Sequence, residues 1–313
     1  MNRPAEVAIR HGLLTRVLPV ERILFASSIV CLGEFRCGID DPDFAGGICS
    51  GHTLVFPREA LWIEHAGGPR FVADPTVITF YNKGQEYRRF RISRVDRCDW
   101  FAFADDVLRD VVTDVTASAS DQHPFRLAYG PSHPDLYRRQ RREFMRLEAK
   151  AVTSVLEVEE AAIDIVRAAL RRAYGSNTRV RGRTFRDLDE RVQHVRSLLA
   201  HRLDDAPSLV ELAAAVDLSA YHLCRSFRKL TGATLREYRT CLRILHSLEA
   251  VADGADLTTV AQDLGFSSHS HFTYAFRRTF NVPPSALRAE LTQHARARTT
   301  GALRRTRRGR ARN

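Results

Sequence analysis

Two stretches of polar and basic side chains have the composition of surfaces that contact nucleic acid, and neither contains an acidic residue. The outward side chains are Tyr221, His222, Cys224, Arg225, Ser226, Arg228 and Lys229 in the first stretch, and His269, Ser270, His271, Thr273, Tyr274, Arg277 and Arg278 in the second. A helix in the major groove uses short polar side chains for base edges, and arginine or lysine for phosphates. The composition therefore predicts two DNA-reading helices.

The elements that must position these stretches form a duplicated unit. Apolar residues recur at helical steps on the opposite side of each stretch, at Leu223 and Phe227 and again at Phe272 and Phe276. Each stretch follows a shorter apolar helix and a turn, so the chain predicts two helix-turn-helix units, at about 209–232 and 257–281. The two long helices are 49 residues apart, whereas the short helices are 48 apart. The second turn therefore has one extra residue.

Local signals mark where these helices begin. Ser208 with Glu211, and Thr234 with Glu237, have the spacing of capping boxes. The second of them opens a predicted helix from residue 234 to about 252 that joins the two units. We predict N-caps for the two DNA-reading helices at Ser219 and Ser267. Asp217 and Gly265 occupy the two turns, and Gly265 supplies the more permissive backbone.

The same residues resemble the AraC/XylS type of transcription regulator. The resemblance is carried by 209–213, Leu218-Ser219, His222-Leu223 and 226–232 in the first unit. In the second it is carried by Val260-Ala261, 265–267, 270–272, 275–278, Phe280 and 282–284. It implies two helical subdomains that dock in successive major grooves on one face of the DNA.

This resemblance also assigns roles to positions. The implied base-reading residues are Tyr221, Cys224 and Arg225, and His269, Ser270, Thr273 and Tyr274. From the residue types we add candidates for phosphate contact: Ser219, Arg228, Lys229, Ser267, Arg277 and Arg278. Cys224 and Tyr274 are unusual base-reading residues, so the preferred DNA sequence cannot be copied from a relative.

Charge alone does not identify a DNA-binding surface here. The 313-residue chain has a formal net charge of +11, but residues 291–313 contain eight arginines and no acid. Residues 204–290 contain nine basic and ten acidic residues. DNA docking is therefore expected to depend on a few oriented phosphate contacts. The basic tail at 291–313 is predicted to be disordered.

The N-terminal half predicts an antiparallel β structure. Runs rich in β-branched and aromatic residues at 23–35, 53–63, 70–81, 86–92 and 100–103 are separated by turn residues. We predict an α+β multidomain protein with an N-terminal cupin-like barrel, packed helices and an all-α C-terminal pair of helix-turn-helix subdomains. The AraC/XylS resemblance implies that such a barrel binds a small-molecule effector.

The predicted domains follow from these patterns. A sensor and dimerisation domain spans 1–176, with the barrel at about 21–104 and helices at about 135–174. A linker follows at 177–187, then the DNA-binding domain at 188–290 and the tail at 291–313. Residues 1–20 are predicted to be a loose lead-in, and 105–134 a connecting region. The arginine cluster at 138–142 is interpreted as a solvated helix face.

The N-terminal half also contains residues that suggest other chemistry. His52, Glu64 and His65 could converge on a metal in a cupin enzyme, but their spacing lacks the usual His-x-His pair. Cys37 and Cys98 could form a redox or soft-metal sensor if their strands are neighbours. Both remain alternatives, as does an architectural DNA-binding protein. The favoured interpretation has no catalytic site, metal or cofactor.

The sequence as a whole predicts a cytoplasmic, effector-responsive activator that contacts double-stranded DNA and RNA polymerase. No run of eighteen apolar residues and no N-terminal signal pattern are present, so no membrane association is expected. Six cysteines without regular spacing suit a reducing compartment. Homodimerisation through the helices at 135–174 is an open alternative to their packing on the barrel.

Overall fold

The structure is a computed structural model of the full chain. It describes residues 3–116, 123–151, 154–175, 183–205 and 207–289, with the backbone alone at Arg3 and 183–186. Most of the predicted linker and the whole basic tail at 291–313 lie outside the described residues.

Ten strands form two antiparallel sheets in the N-terminal half. The strands are β1 Glu21–Ala26, β2 Val30–Gly38, β3 Gly46–Ile48, β4 Thr53–Pro57, β5 Leu61–His65, β6 Arg70–Ala73, β7 Val77–Tyr81, β8 Glu86–Arg91, β9 Val95–Phe103 and β10 Tyr129–Pro131. One sheet has the order β1-β2-β9-β4-β7-β10, and the other has the order β3-β8-β5-β6. Among the described strands no ladder joins the sheets, so they form an open sandwich rather than a closed barrel.

Alternation along the strands divides the larger sheet into two apolar faces. Leu32, Phe56 and Phe101 belong to a core that includes the helices, whereas Phe35 and Trp100 face the smaller sheet. Successive side chains of a strand point to opposite faces, so both faces of the large sheet can be covered. This explains why the strands contain apolar runs rather than a simple alternation of apolar and polar residues.

Helical backbone is present at 284–289, and ten further helices complete the described part of the fold. They are α1 Arg3–Arg10, α2 Asp105–Thr116, α3 Pro134–Glu148, α4 Val155–Gly175, α5 Arg183–His201, α6 Leu209–Ala214, α7 Ala220–Thr231, α8 Leu235–Ala252, α9 Leu257–Asp263 and α10 His269–Phe280. A short 3-10 helix spans Pro42–Ala45. The predicted fold class is confirmed: antiparallel sheets with packed helices precede an all-α C-terminal part.

Several local predictions for the N-terminal half were wrong. The lead-in contains α1, where Ala5 and Ala8 are buried, and the connecting region contains α2 and β10. Long predicted strands are divided in two; for example, 53–63 contains β4 and β5. The short helix α1 and the edge strand β10 acquire their partners from distant parts of the chain, which local patterns do not reveal. The run at 53–63 is divided because the chain passes from the larger sheet to the smaller one between β4 and β5.

The helices α3 and α4 pack on the large sheet of their own chain. Leu136, Phe144 and Leu147 are buried in the same core as Phe56 and Phe101. The interpretation of the arginine cluster at 138–142 as a solvated face was wrong for Arg141, whose side chain is fully buried, whereas the other three arginines are half-buried. Its partners are described with the site below.

Candidate nucleic-acid interface

One stripe of α7 faces outward with the predicted polar residues on it. Tyr221, Cys224, Arg225, Arg228 and Lys229 are all exposed, and their spacing of i, i+3, i+4, i+7 and i+8 places them on one helix face. Tyr221 retains 70% of its accessible surface. Near the helix N-terminus the stripe contains the phenol of Tyr221 and the thiol of Cys224, and the basic side chains follow further along the helix.

Helix α10 presents the equivalent stripe, 49 residues later. Ser270, Tyr274, Arg277 and Arg278 are exposed, Thr273 is half-buried, and Tyr274 retains 66% of its accessible surface. His269, at the first position of the helix, is also exposed. Its Nε2 lies 3.5 Å from the Thr273 hydroxyl, one turn further along. Short polar groups and a planar aromatic ring therefore precede two arginines, as in α7.

Buried aromatic side chains fix the orientation of both stripes. Leu223 and Phe227 in α7, and Phe272 and Phe276 in α10, have no solvent-accessible surface. The Phe227 ring packs edge-on against Tyr238 of α8, with centroids 5.3 Å apart. One prediction fails on this side: Ser226 was placed on the outward face of α7, but it is buried at helical spacing from Leu223.

Both helices begin at a serine that caps the first turn. The Ser219 hydroxyl accepts from the His222 N–H at 3.2 Å, as predicted. In α10 the cap is Ser268, which accepts from the His271 N–H at 3.1 Å, and the predicted cap Ser267 was wrong. The Ser267 hydroxyl instead lies 3.1 Å from the His271 ring. The offset of 49 that relates the two helices carries Ser219 onto Ser268, so the signal was present in the sequence.

The two turns are held by the half-buried Arg191 and the buried Arg243, which the sequence did not reveal. Asp217 and Gly265 both have positive φ, +50° and +67°. Arg191 of α5 donates to the carbonyls of Val216 and, at 3.0 Å, Asp217 in the first turn. In the second turn, Arg243 of α8 donates to the Gly265 carbonyl at 2.8 Å. Each guanidinium satisfies carbonyl groups that a sharp turn removes from helical hydrogen bonding.

The charges of α7 and α10 favour an anion near the N-terminus of each helix. Neither α7 nor α10 has an acid in its first turn, and both have two basic residues in the last. A helix N-terminus carries unpaired N–H groups and a partial positive charge, so phosphate is favoured there. Both Arg228 of α7 and Arg278 of α10 act on Glu237, whose pKa is lowered mainly by its hydrogen bond from Thr234. The basic ends of the two helices thus lie near the same end of α8.

The metal alternative has no site among the described residues. His52, Glu64 and His65 do not converge: His52 accepts from the Lys83 N–H, Glu64 pairs with Arg70, and His65 packs between aromatic rings. Burial lowers the pKa of His65 to about 4. In the described part of the chain, no group of three His, Cys, Asp or Glu side chains could hold a metal ion.

The predicted redox pair lies on adjacent strands. Cys37 pairs in register with Asp96, and Cys98 with Phe35, so both thiols point to the same face of the large sheet. Both are free thiols. Burial raises the pKa of Cys37 to about 11 and that of Cys98 well above its ordinary value. The thiolate is the reactive form, so this environment disfavours redox chemistry at both positions.

Two buried polar clusters connect the helix-turn-helix region to the N-terminal half, and neither was predicted. In the first, Arg141 of α3 contacts Asp99 of β9 at 2.6 Å and Glu249 of α8 at 2.7 Å. Arg58 contacts the same two acids, at 3.5 Å and 2.5 Å. We call these four residues the Asp99 cluster. It ties the helix that joins the two units to the large sheet.

The second cluster centres on Asp74, just after β6. Its carboxylate contacts Arg196 of α5 at 3.0 Å and accepts the Tyr238 hydroxyl of α8. The neighbouring Gln193 accepts the Val72 N–H at 2.9 Å. We call Asp74, Arg196 and Tyr238 the Asp74 cluster. The two clusters fix α5 and α8 on the sandwich in this arrangement.

Comparison with known proteins identifies the helix-turn-helix region. A family model described as a helix-turn-helix domain matches residues 212–290. Its match contains α7, α8, α9 and α10. The C-terminal region is an AraC/XylS-type DNA-binding domain. This confirms the family resemblance for that part of the chain.

The relatives that share this AraC/XylS-type domain are transcription regulators. Regulatory protein PocR of Salmonella typhimurium is 29% identical over 121 residues, covering 38% of this chain and 39% of PocR. RipA of Corynebacterium diphtheriae is 35% identical over 89 residues, 28% of this chain and 26% of RipA. The transcriptional activator RhaS of Pectobacterium atrosepticum is 35% identical over 78 residues, 25% of this chain and 28% of RhaS. The chain thus matches well under half the length of each.

Solved structures include similar domains. The DNA-binding domain of AdpA in complex with a target DNA is 27% identical, covers 32% of this chain and 90% of that chain, and has a TM-score of 0.30. ToxT from Vibrio cholerae O395 is 12% identical, covers 84% of this chain and 98% of that chain, and has a TM-score of 0.33.

None of the described helices is long and apolar enough to cross a bilayer.

Proposed function

We propose that this protein is a sequence-specific DNA-binding transcription regulator in which α7 and α10 are both recognition helices. The observation that carries the proposal is the equivalence of their exposed stripes. Tyr221, Cys224 and Arg225 occupy the same helical positions as Ser270, Thr273 and Tyr274, and both groups precede a pair of basic residues. The two helices then occupy adjacent major grooves, with α8 setting their separation.

Contacts are divided between the ends of each stripe. The base-reading residues are Tyr221, Cys224, Arg225, His269, Ser270, Thr273 and Tyr274. Phosphate contacts come from Ser219, Arg228, Lys229, Arg277 and Arg278; Ser267, one residue before the Ser268 cap, is exposed and completes this set. Arg225 is the one basic residue near the N-terminal half of α7, where a bidentate contact to guanine is geometrically favoured.

Regulation is proposed to act through the sandwich. An effector shifts DNA binding only if it has different affinity for two arrangements of the N-terminal half and the reader. The Asp99 and Asp74 clusters support this proposal because they join both α5 and α8 to the sandwich. A ligand that moved β9 or β6 would therefore act on the spacing of the recognition helices.

RNA polymerase and a second copy of this chain are the remaining proposed partners. Because RhaS is named a transcriptional activator, we propose activation through contact with RNA polymerase. Homodimerisation through α3 and α4 stays a prediction; most of their apolar residues are used in the core, but Val155 and Leu156 at the start of α4 are exposed.

Selection of bound sequences from a random double-stranded DNA pool tests the proposal. The full-length protein at physiological salt should enrich a motif with two half-elements about one helical turn apart. High affinity without any enriched motif would instead indicate an architectural DNA-binding protein. No measurable binding to DNA would refute the proposal.

A further inference from the structure

A cavity lies between the two sheets of the sandwich. It has a volume of about 80 Å³, which exceeds the space of a single water molecule several-fold. Strand pairing explains why it is lined as it is. Phe35, Cys98 and Trp100 share one face of the large sheet, and Leu61 and Ile63 approach from the smaller sheet. Gly33, opposite Trp100 in register, leaves room for the indole against the backbone.

Arg89 is the basic residue of the cavity wall, and each of its three guanidinium nitrogens makes a contact within the fold. It contacts Asp96 at 3.2 Å, donates to the Tyr87 hydroxyl at 2.7 Å and to the Asp43 carbonyl at 3.1 Å. It also lies 4.1 Å from the centre of the Phe35 ring. Three of its five N–H groups are thereby used by the fold, so Arg89 offers an anionic ligand less than a free guanidinium would.

Acidic groups on the same wall outnumber this cation. Glu21, Glu59 and Asp96 all line the cavity, and among the described residues neither Glu21 nor Glu59 forms an ion pair. The Leu18 N–H donates to one carboxylate oxygen of Glu21 at 2.7 Å. Burial raises the pKa of all three carboxyls, that of Asp96 to about 6. A positive charge in the cavity would therefore favour the ionised form of these carboxyls, as the Arg89 guanidinium already does for Glu21 and Asp96.

Aromatic rings and one unpaired donor define the rest of the site. Tyr81 and Tyr87 pack edge to face with centroids 5.0 Å apart, beside Phe35 and Trp100. Such rings attract cations as well as apolar groups. The Trp100 side chain is 4% exposed, and its indole N–H has no hydrogen-bond partner. A buried unpaired donor costs stability, so an acceptor on a ligand would satisfy it.

We propose that this cavity binds a small organic cation, an amine with a compact apolar body and one hydrogen-bond acceptor. Glu21 pairs with the ammonium group, the aromatic rings surround the body, and the Trp100 N–H donates to the acceptor. The proposal rests on the proposed function only in taking this cation to be the effector that regulates DNA binding. Binding itself is a property of the sandwich.

Matched ligands on the full-length protein test the charge assignment without DNA. Titration calorimetry would compare tyramine, 2-phenylethylamine, 2-phenylethanol and phenylacetate, which share an aromatic body and differ in charge or in the acceptor. We expect tyramine to bind most tightly, the uncharged alcohol at least about tenfold more weakly, and phenylacetate not at all. Equal or tighter binding of phenylacetate, or no binding of either amine, would overturn the proposal.

Two substitutions test the named residues. Glu21→Gln keeps the shape of the side chain and should weaken tyramine about tenfold or more while leaving 2-phenylethanol unchanged. Trp100→Phe should remove the advantage of tyramine over 2-phenylethylamine. Glu64 forms an exposed ion pair with Arg70, so Glu64→Gln is the control. It should change neither the affinity for tyramine nor its advantage over 2-phenylethylamine. Undiminished tyramine binding by Glu21→Gln would refute the assignment.

If the wild-type protein binds tyramine but enriches no sequence from the random DNA pool, the proposed function is refuted and the cavity proposal is not.

Discussion

At the scale of single residues, Arg225 and Arg277 are expected to contribute differently to DNA binding. Arg225→Ala should reduce affinity by about 1–3 kcal/mol for the selected sequence and less for sequences changed at one base pair. Arg277→Ala should weaken binding to all sequences and lower the salt slope by about 1. Both are measured by fluorescence anisotropy at several salt concentrations, with the exposed Arg94→Ala as the control. An identical, uniform loss for the two variants contradicts the division of roles.

The start of α10 gives a second residue-scale prediction. Ser268→Ala should lower the free energy of unfolding by about 1 kcal/mol, because it removes the acceptor for the His271 N–H. Ser267→Ala is the matched control and should change it by less than about 0.5 kcal/mol. Urea unfolding followed by circular dichroism distinguishes the two. A larger loss at Ser267 would restore the original sequence-based assignment of the cap.

The outward residues of α7 and α10 were the part of the site that sequence predicted best. Leu223 and Phe227 set a helical period, which places Tyr221, Cys224 and Arg225 on the outward side. The same period places Ser226, three residues after Leu223, on the inward face, so its burial was predictable from the spacing. Arg243 could not be assigned at all, since its acceptors are carbonyls whose position depends on the folded turn.

At the scale of elements, the second turn should tolerate substitution much less than an open turn. A Cβ at Gly265 would meet the Asp204 carbonyl and lie 2.7 Å from the Arg243 guanidinium, in addition to the cost of positive φ. Gly265→Ala should therefore cost more than about 2 kcal/mol of unfolding free energy. Gly254→Ala, also at positive φ but with nothing within 4 Å, should cost about 1 kcal/mol. Equal losses in urea unfolding would show that the close approach is not present in solution.

The predictability of an element depended on where its partners lie. The helices of the C-terminal region were predicted because their caps and apolar steps lie within about twenty residues. Helix α1 was missed because Ala5 and Ala8 are small and are buried only by the sandwich. Strand β9 was predicted only at its end, since Asp96 and Asp99 interrupt its apolar pattern; both are buried beside arginines.

At the scale of the whole molecule, the Asp99 cluster should make the two halves unfold together. Asp99 has no solvent-accessible surface and contacts both Arg58 and Arg141, and Glu249 supplies the second negative charge. Asp99→Asn leaves two buried guanidinium groups with Glu249 as their shared acid, so we expect a loss of about 3–5 kcal/mol. Asp114→Asn, which affects exposed pairs with Arg167 and Arg171, should cost less than about 1 kcal/mol.

Urea unfolding monitored by both circular dichroism and tryptophan fluorescence checks this prediction. Both tryptophans, Trp62 and Trp100, lie in the sandwich, whereas circular dichroism reports mainly on the helices. Coincident transitions are expected for the wild type. Similar small losses for the Asp99 and Asp114 variants would mean that the cluster does not support the arrangement of the two halves.

The arrangement of the halves was not predictable from local patterns. Arg141 lies in a run of arginines that is typical of a solvated helix face, and its partners Asp99 and Glu249 are 42 and 108 residues away. No periodicity joins such positions, because an ion pair needs no repeating pattern. The AraC/XylS-type domain was recognised because its own units are local, but its attachment to the sandwich is tertiary.

The central claim is that α7 and α10 read two successive major grooves. Hydroxyl-radical footprinting of the full-length protein, on a duplex enriched in the selection experiment, measures this most directly. The account predicts two protected stretches about ten base pairs apart on one face of the DNA, and loss of one stretch when Arg225 and Arg228 are both replaced by alanine. A single protected stretch, unchanged by that replacement, would contradict it.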